Sequence, residues 1–538
     1  MSGRRDRLES GKRMPGHENE EARGRLVRSA STITPLTLLS RLTGYLRDKA
    51  IALLLGAGMR SDAFFVAFRI PNMLREIIGE GAMSSAVIPV YAEVSAQRSE
   101  EEARAFVGRV AGTFALILTA ITALGILASP WLVNLLAGQF HAEPGKFELT
   151  VVLNRWIFPY ILLVSLAALC QAILNAHHRF AVAAAAPILL NVALILSALF
   201  ISPRLAEPTY GLAFGVLLGG FLQIAIQIPQ LRRLRAMGRP ALGWKDPAVR
   251  SVLLLMSPRL IAYGINSVNT VVATRFAAGL GDSSVSHMYY ANRLKELVLG
   301  GFAVSVATAV LPLLSKQALS ADREPFKDSL AFALRLIAFV TVPATVGLVL
   351  LQVPIVRVLF QGGRFGADDT QATAGVLATL ALGLFFFAGV RVIVPAFYAL
   401  KNTTLPVVAA LADAVVFVTL CILLTHPLGL PGIGLAASAA AAVNVAVLMI
   451  FLRRREGRLR GRAIGNSLAR VAAAAAVMGG LLWALGRVVP AAAYAGWRGA
   501  GLLTLVIAGA SVCYWLAAHW LGAPEPAELR RIAAKRRE

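Results

Sequence analysis

The chain has 538 residues, 57% of them hydrophobic and 15% charged, whereas soluble domains run about 45–50% apolar and about 25% charged. The charges are lopsided, 53 Lys and Arg against 29 Asp and Glu, for a net charge of +24. A disordered basic protein would be poor in apolar residues, and a soluble nucleic-acid binder would carry the charge without the hydrophobicity. What remains is a polytopic membrane protein with its basic residues on one side.

Residues 1–28 hold eight basic residues, four Glu and one Asp, with no apolar core. They lack the features of a signal peptide and read as a disordered basic cytoplasmic extension. A spanning helix needs about 20 mostly apolar residues. In chain order the candidates are 30–55, 62–94, 105–137, 150–175, 181–202, 209–229 and 251–279, then 286–315, 330–358, 371–400, 404–426, 431–452, 465–488 and 498–521. The short alternating segments of a membrane β-barrel do not occur. The reading is an all-α polytopic membrane protein with 14 transmembrane helices. Cys170, Cys421 and Cys513 sit inside apolar runs and read as small buried hydrophobes. With no HExxH or CxxC, nothing argues for zinc.

The connections set the orientation. Arg232, Arg233, Arg235, Arg239, Lys245 and Arg250 crowd one linker, Arg453 to Arg455, Arg458, Arg460 and Arg462 a second, and the tail after residue 522 is basic too. With fourteen spans these stretches and the N-terminal extension share one side, which the positive-inside rule makes the cytoplasm. Both termini are therefore expected to be cytoplasmic. The opposite loops, 139–149, 203–208, 280–285, 427–430 and 489–497, are poor in Lys and Arg.

The chain also matches itself. Sliding it so that Pro35 falls on Pro258 brings Gly56 and Gly58 onto Gly279 and Gly281, and Ser85–Pro89 onto Thr308–Pro312. We read a duplication: two pseudo-symmetric six-helix lobes plus two C-terminal helices. The divisions are an N-lobe at 29–229, a basic cytoplasmic linker at 230–250, and a C-lobe at 251–453. Helices 13–14 follow at 454–522, and a basic cytoplasmic tail at 523–538. Parallel repeats of this kind place their substrate between the lobes, near mid-membrane.

Charges inside spans are the most informative residues. The first span holds Arg41, Arg47, Asp48 and Lys49, the second Arg69, Arg75, Glu76 and Glu80, and the eighth Arg293, Lys295 and Glu296. A central Arg costs roughly 2.5–3.5 kcal/mol by insertion scales, so such groups face a wet cavity or pair with one another. Arg41 and Asp48 lie about 20° apart around a helix, and Arg69, Glu76 and Glu80 share a face. An Arg excess suits an anion, phosphate above all. The same spacing also admits plain ion pairs, Asp48 with Arg41 and Glu76 with Arg69. Pro71, Pro89 and Gly79-Glu80-Gly81 are expected to bend the second span, and Gly300-Gly301 and Pro312 the eighth. Asp413 is the lone acid of the eleventh span. Asn269 and Asn444 are the nearest polar candidates for a Na⁺ or proton site with it, and Arg391 is an alternative partner.

Several motifs resemble the MurJ (MviN) lipid II flippases. They are Ser40-Arg41-Leu42-Thr43-Gly44-Tyr45-Leu46-Arg47-Asp48, Gly56-Ala57-Gly58, the run from Asp62 to Arg75, Gly79-Glu80-Gly81-Ala82, Phe158-Pro159-Tyr160, the run from Met288 to Leu294, and Leu311-Pro312 followed by Ser315-Lys316. The resemblance runs from about residue 29 to 522. It implies membership of the multidrug/oligosaccharidyl-lipid/polysaccharide exporter superfamily and a transporter rather than an enzyme. The implied cargo is lipid II, the undecaprenyl-pyrophosphate-linked disaccharide-pentapeptide. It would move from the inner to the outer leaflet of the plasma (inner) membrane for peptidoglycan synthesis. The family's cavity arginines fall on Arg41, Arg47, Arg75 and Arg293, its acidic partners on Asp62 and Glu80, and further cavity positions on Ser40 and Glu296. Asp48 and Arg69 join these, from the charge pattern, as cavity or gating residues. Where an acid often precedes the eighth-span Arg, this chain has Asn292.

The resemblance further implies a lipid-tail groove along helices 13–14 and no cofactor, and leaves coupling to a cation or to the membrane potential open; the sodium site of some family members is not clearly reproduced, Asp413 being the one acid nearby. The implied partners are lipid II, the bilayer and cell-wall synthesis proteins, with no nucleic acid. Alternatives are an exporter of another lipid-linked oligosaccharide and, from a different class, an intramembrane cell-wall polymerase. A polymerase would want a cluster of His, Asp or Glu in a sizeable outer loop, and the outer loops are short and lack one. A cationic-drug exporter would want an acidic cavity.

Overall fold

The computed structural model describes the backbone of residues 15–79, 82–528 and 530, and their side chains except at 15–34, 76–79, 82 and 258–266. It is helical throughout, with no β-strand among the described residues. The first lengths are α1 (Pro15–Leu55), α2 (Met59–Gly79), α3 (Ala82–Gln97), α4 (Glu100–Leu127) and α5 (Ser129–Ala137). Then come α6 (Lys146–Ile157), α7 (Tyr160–Ala176), α8 (Phe180–Leu196), α9 (Pro208–Ala225) and α10 (Ile228–Arg233). The next are α11 (Pro247–Ala278), α12 (Ser284–Gln317), α13 (Glu324–Leu350), α14 (Gln352–Phe360) and α15 (Ala367–Ala381). The last are α16 (Leu384–Ala399), α17 (Thr404–Leu428), α18 (Leu430–Glu456), α19 (Gly461–Val488) and α20 (Gly496–Trp520). Among the described residues ten helical runs are long and apolar enough to cross a membrane, and the pair α15–α16, bent by 47°, makes an eleventh.

The sequence explains the breaks. Pro130 begins α5, and Pro159 stands between α6 and α7; a proline has no N–H to donate and crowds the preceding turn. Gly79 ends α2 and Ala82 begins α3, with Glu80 and Gly81 between them outside the described residues. In α12 the expected bend does not interrupt the helix, which runs unbroken through Gly300-Gly301 and Pro312. Residues 15–28 depart from the irregular extension that their charge suggested: α1 begins at Pro15. Glu and Arg, which recur in that stretch, are good helix formers.

The chain forms two compact units. The first comprises Met1–Arg47, Pro71–Leu124 and Trp156–Leu260, the second Asp48–Ile70, Gly125–Arg155 and Ile261–Glu538. In the first unit the basic linker is a strap laid along α4. Ala241 N donates to the Gly108 carbonyl at 3.1 Å, Gly243 N to Thr113 Oγ1 at 2.9 Å, and Arg109 pairs with Asp246 at 2.5 Å. Gly108 and Gly112 lie directly under the carbonyls of Arg239 and Ala241, and Gly238 under that of Arg104, so a β-carbon at any of the three would collide with backbone.

In the second unit the end of α1 meets the turn after α14. Arg364 N donates to the Leu53 carbonyl at 3.1 Å, and Lys49 Nζ to the Val358 carbonyl at 3.2 Å. Gly56 and Gly363 supply the positive φ this contact requires, +68° and +53°.

The self-match seen in the sequence recurs in backbone geometry. Arg179 N donates to the Leu174 carbonyl past a left-handed His178, and Asn402 N to the Phe397 carbonyl past a left-handed Lys401. The slide that carries Pro35 onto Pro258 also carries each member of the first turn onto its counterpart in the second.

Candidate functional site

In the first unit, α1 presents Ser40, Arg41, Thr43 and Arg47 in half-buried positions. Arg41 makes no hydrogen bond or ion pair among the described residues. Arg47 Nη1 donates to Asn191 Oδ1 of α8 at 3.1 Å, and Asn191 Nδ2 donates back to the Ser40 carbonyl and to Thr43 Oγ1, each at 3.2 Å. Arg75 Nε donates to Asn72 Oδ1, one turn earlier on α2, at 3.0 Å.

In the second unit, Asp48 is fully buried and pairs with Arg293 of α12 at 2.5 Å, and the Tyr289 hydroxyl donates to its other oxygen at 3.1 Å. Tyr289 stacks on Phe65 with ring centroids 3.8 Å apart. The i, i+7 reading of the first span, Asp48 with Arg41, therefore gives way to a partner on a helix far along the chain. One turn further along α12, Glu296 accepts both of its hydrogen bonds from Arg391 Nη2, at 2.8 and 3.1 Å. Arg391 thus serves Glu296 and not Asp413.

Asp413 instead accepts from Asn269 Nδ2 at 2.5 Å and from Asn444. The Asn269 Oδ1 beside it is buried without a hydrogen-bond partner. A carboxylate and an orphaned amide oxygen are the hard oxygen donors that an alkali or alkaline-earth cation takes, so these residues fit such an ion. No group of three or more His, Cys, Asp or Glu gathers into a metal site among the described residues. Arg69 is half-buried on α2, and Glu80 lies outside the described residues.

Sequence reasoning missed one cluster. The Lys146 ammonium, wholly buried, contacts Asp62 at 3.0 Å, Asp282 at 2.8 Å and Glu143 at 3.1 Å, and lies 4.3 Å from the Phe140 ring centroid. Asp62, also fully buried, accepts from Ser286 N at 2.8 Å and Ser286 Oγ at 2.6 Å. The only available signal was a lysine in a loop otherwise poor in basic residues.

A second feature of this unit is an apolar cavity of about 440 Å³ among α13, α19 and α20, lined by Phe339, Pro343, Gly347, Met478, Leu482 and Tyr514.

Fold and site together define a class: a polytopic, all-helical membrane transporter with ionised groups set inside its spans. The family described as "Lipid II flippase MurJ" matches residues 51–495. The Vibrio cholerae protein "Probable lipid II flippase MurJ" is 36% identical over 471 residues, 86% of this chain and 89% of that one. A solved structure described as "Lipid II flippase MurJ, inward closed conformation" superposes with a TM-score of 0.75 at 26% identity, over 90% of this chain and 97% of that one. An inward-facing multidrug transporter of the MATE family shares the fold at a TM-score of 0.62 and 15% identity, over 80% of this chain and 99% of that one. The chain belongs to the MurJ family of lipid II flippases. Its relatives are named as flippases, which are transporters and not enzymes.

Proposed function

We propose that this protein carries lipid II from the cytoplasmic to the outer leaflet of the inner membrane by alternating access. Family membership carries the reading. The arginines assigned to the pyrophosphate and the acidic peptide are Arg41, Arg47, Arg75 and Arg293. The polyprenyl tail lies in the apolar cavity among α13, α19 and α20, where it buries hydrocarbon against hydrocarbon.

The chain crosses the membrane fourteen times with both termini cytoplasmic. To the eleven apolar runs this count adds α1, α2–α3 and α11. Binding an anion offsets the mutual repulsion of the arginines, so the occupied state favours closure around the headgroup.

The test is headgroup translocation in liposomes, alongside growth of cells depleted of the native flippase. Arg47→Ala and Arg75→Ala should insert normally and each lose at least tenfold in transport, about what one charge-assisted hydrogen bond supplies. Full activity in both variants would refute the arginine site.

Coupling is assigned to Asp413, with Asn269 and Asn444 completing an oxygen site for a monovalent cation. Transport by the wild type should then rise with an inward sodium gradient, and Asp413→Ala should be indifferent to it. An identical sodium response in the two proteins removes Asp413 from coupling.

A further inference from the structure

We propose that Lys295, Glu296 and Arg391 of the second unit form a subsite for the terminal carboxylate of the cargo's peptide stem, with Arg391 as the contact; this rests on the lipid II reading above. Arg391 lines a cavity of about 450 Å³ bounded by α12, α16, α17 and α18, whose walls include Val304, Leu311, Val394, Val407 and Asn444. Ligand pockets are of this kind, mostly apolar with a few polar groups that fix the orientation of the guest.

The charges around Arg391 set the sign and size of that guest. Its Nη2 donates to both oxygens of Glu296, at 2.8 and 3.1 Å, while Nε and Nη1 make no hydrogen bond among the described residues. The Lys295 side chain is 12% exposed, and its ammonium lies 3.9 Å from Glu296 Oε1. That ammonium also donates to Asn292 Oδ1 at 3.0 Å and sits 4.5 Å from the Phe387 ring centroid, contacts that suit a cation. Two cations therefore share one carboxylate, and no other acid pairs with either of them among the described residues. One positive charge is left over, which a single carboxylate offsets and a pyrophosphate would overshoot. Arg391 has N–H groups free to receive that carboxylate while Nη2 stays on Glu296.

Asn292 preserves the excess. Its Nδ2 donates to the Met288 carbonyl at 2.9 Å, which turns Oδ1 toward Lys295. An aspartate there would neutralise the ammonium and leave Arg391 and Glu296 as a balanced pair. Asn444, on the same cavity wall, bonds Asp413. The cation assigned to Asp413 offsets that acid, so the excess stands when sodium is bound.

The test compares two probes on full-length protein in detergent with sodium: lipid II whose stem ends in a carboxylate, and the same lipid ending in a carboxamide. Wild type should bind the first about tenfold more tightly, roughly what one charge-assisted hydrogen bond supplies. Lys295→Met should bring the two probes to equal affinity, because Glu296 then cancels Arg391. Adding Glu296→Gln to Lys295→Met returns one unmatched positive charge, on Arg391, and should restore the preference. The proposal is overturned if wild type binds both probes alike, if Lys295→Met keeps the preference, or if the double variant fails to regain it. If neither probe binds the wild type, the lipid II reading fails and takes this inference with it, an outcome distinct from failure of the subsite alone.

Discussion

Lys146→Met is expected to destabilise the protein by about 3–5 kcal/mol, the usual cost of removing one partner from a buried ion pair. The substitution leaves the fully buried Asp62 carboxylate with hydrogen bonds from Ser286 but without the ammonium 3.0 Å away. The thioether replaces the volume of the lysine stem, so the effect is one of charge and not of a cavity. Thermal unfolding in detergent measures the loss. The double variant Lys146→Met, Asp62→Asn should recover most of it, because removing both charges of a buried pair is far milder than removing one. A single variant as stable as the wild type would show that Asp62 does not depend on Lys146.

The second large effect concerns Asp48 and Arg293, and it separates a structural role from a transport role. Arg293→Ala should abolish support of growth, because the change removes a guanidinium from both the buried Asp48 and the proposed headgroup site. Asp48→Asn removes the ion pair but keeps the arginine. It should retain headgroup binding and slow transport. Were the pair only a structural clamp, the two single variants would behave alike, and Asp48→Asn, Arg293→Leu would restore transport by removing both charges. Measuring binding and translocation on the same preparations decides between these outcomes.

The composition and the apolar runs sufficed to read an all-helical membrane chain, because hydrophobicity is a local property of sequence. The arginines stood out for the same reason: a charge inside an apolar run is visible without any partner. Partners are where local reading failed. Asp48 has its nearest opposite charges on its own helix, yet its partner is Arg293, since α1 and α12 meet through tertiary packing that no helical spacing encodes. Lys146 went unmarked because a loop lysine carries topological information only, and two of the three acids around it lie 84 and 136 residues away at Asp62 and Asp282. Asn191 is a single amide in a run of Ala, Leu and Val, unremarkable until its three bonds to α1 are seen. For Asp413 the sequence named the correct amide, Asn269, but could not choose between it and Arg391, which lies on a neighbouring helix and serves Glu296.

The strap that residues 238–246 lay along α4 constrains the length of chain that leads into α11. A passive tether would absorb added or deleted residues with little effect. Here the carbonyls of Arg104, Arg239 and Ala241 seat on glycines across a gap that admits no β-carbon. A single residue inserted after Gly238 would shift the seats of Arg239 and Ala241 out of register and pull Asp246 away from Arg109. The length of this segment is therefore fixed by its packing on α4.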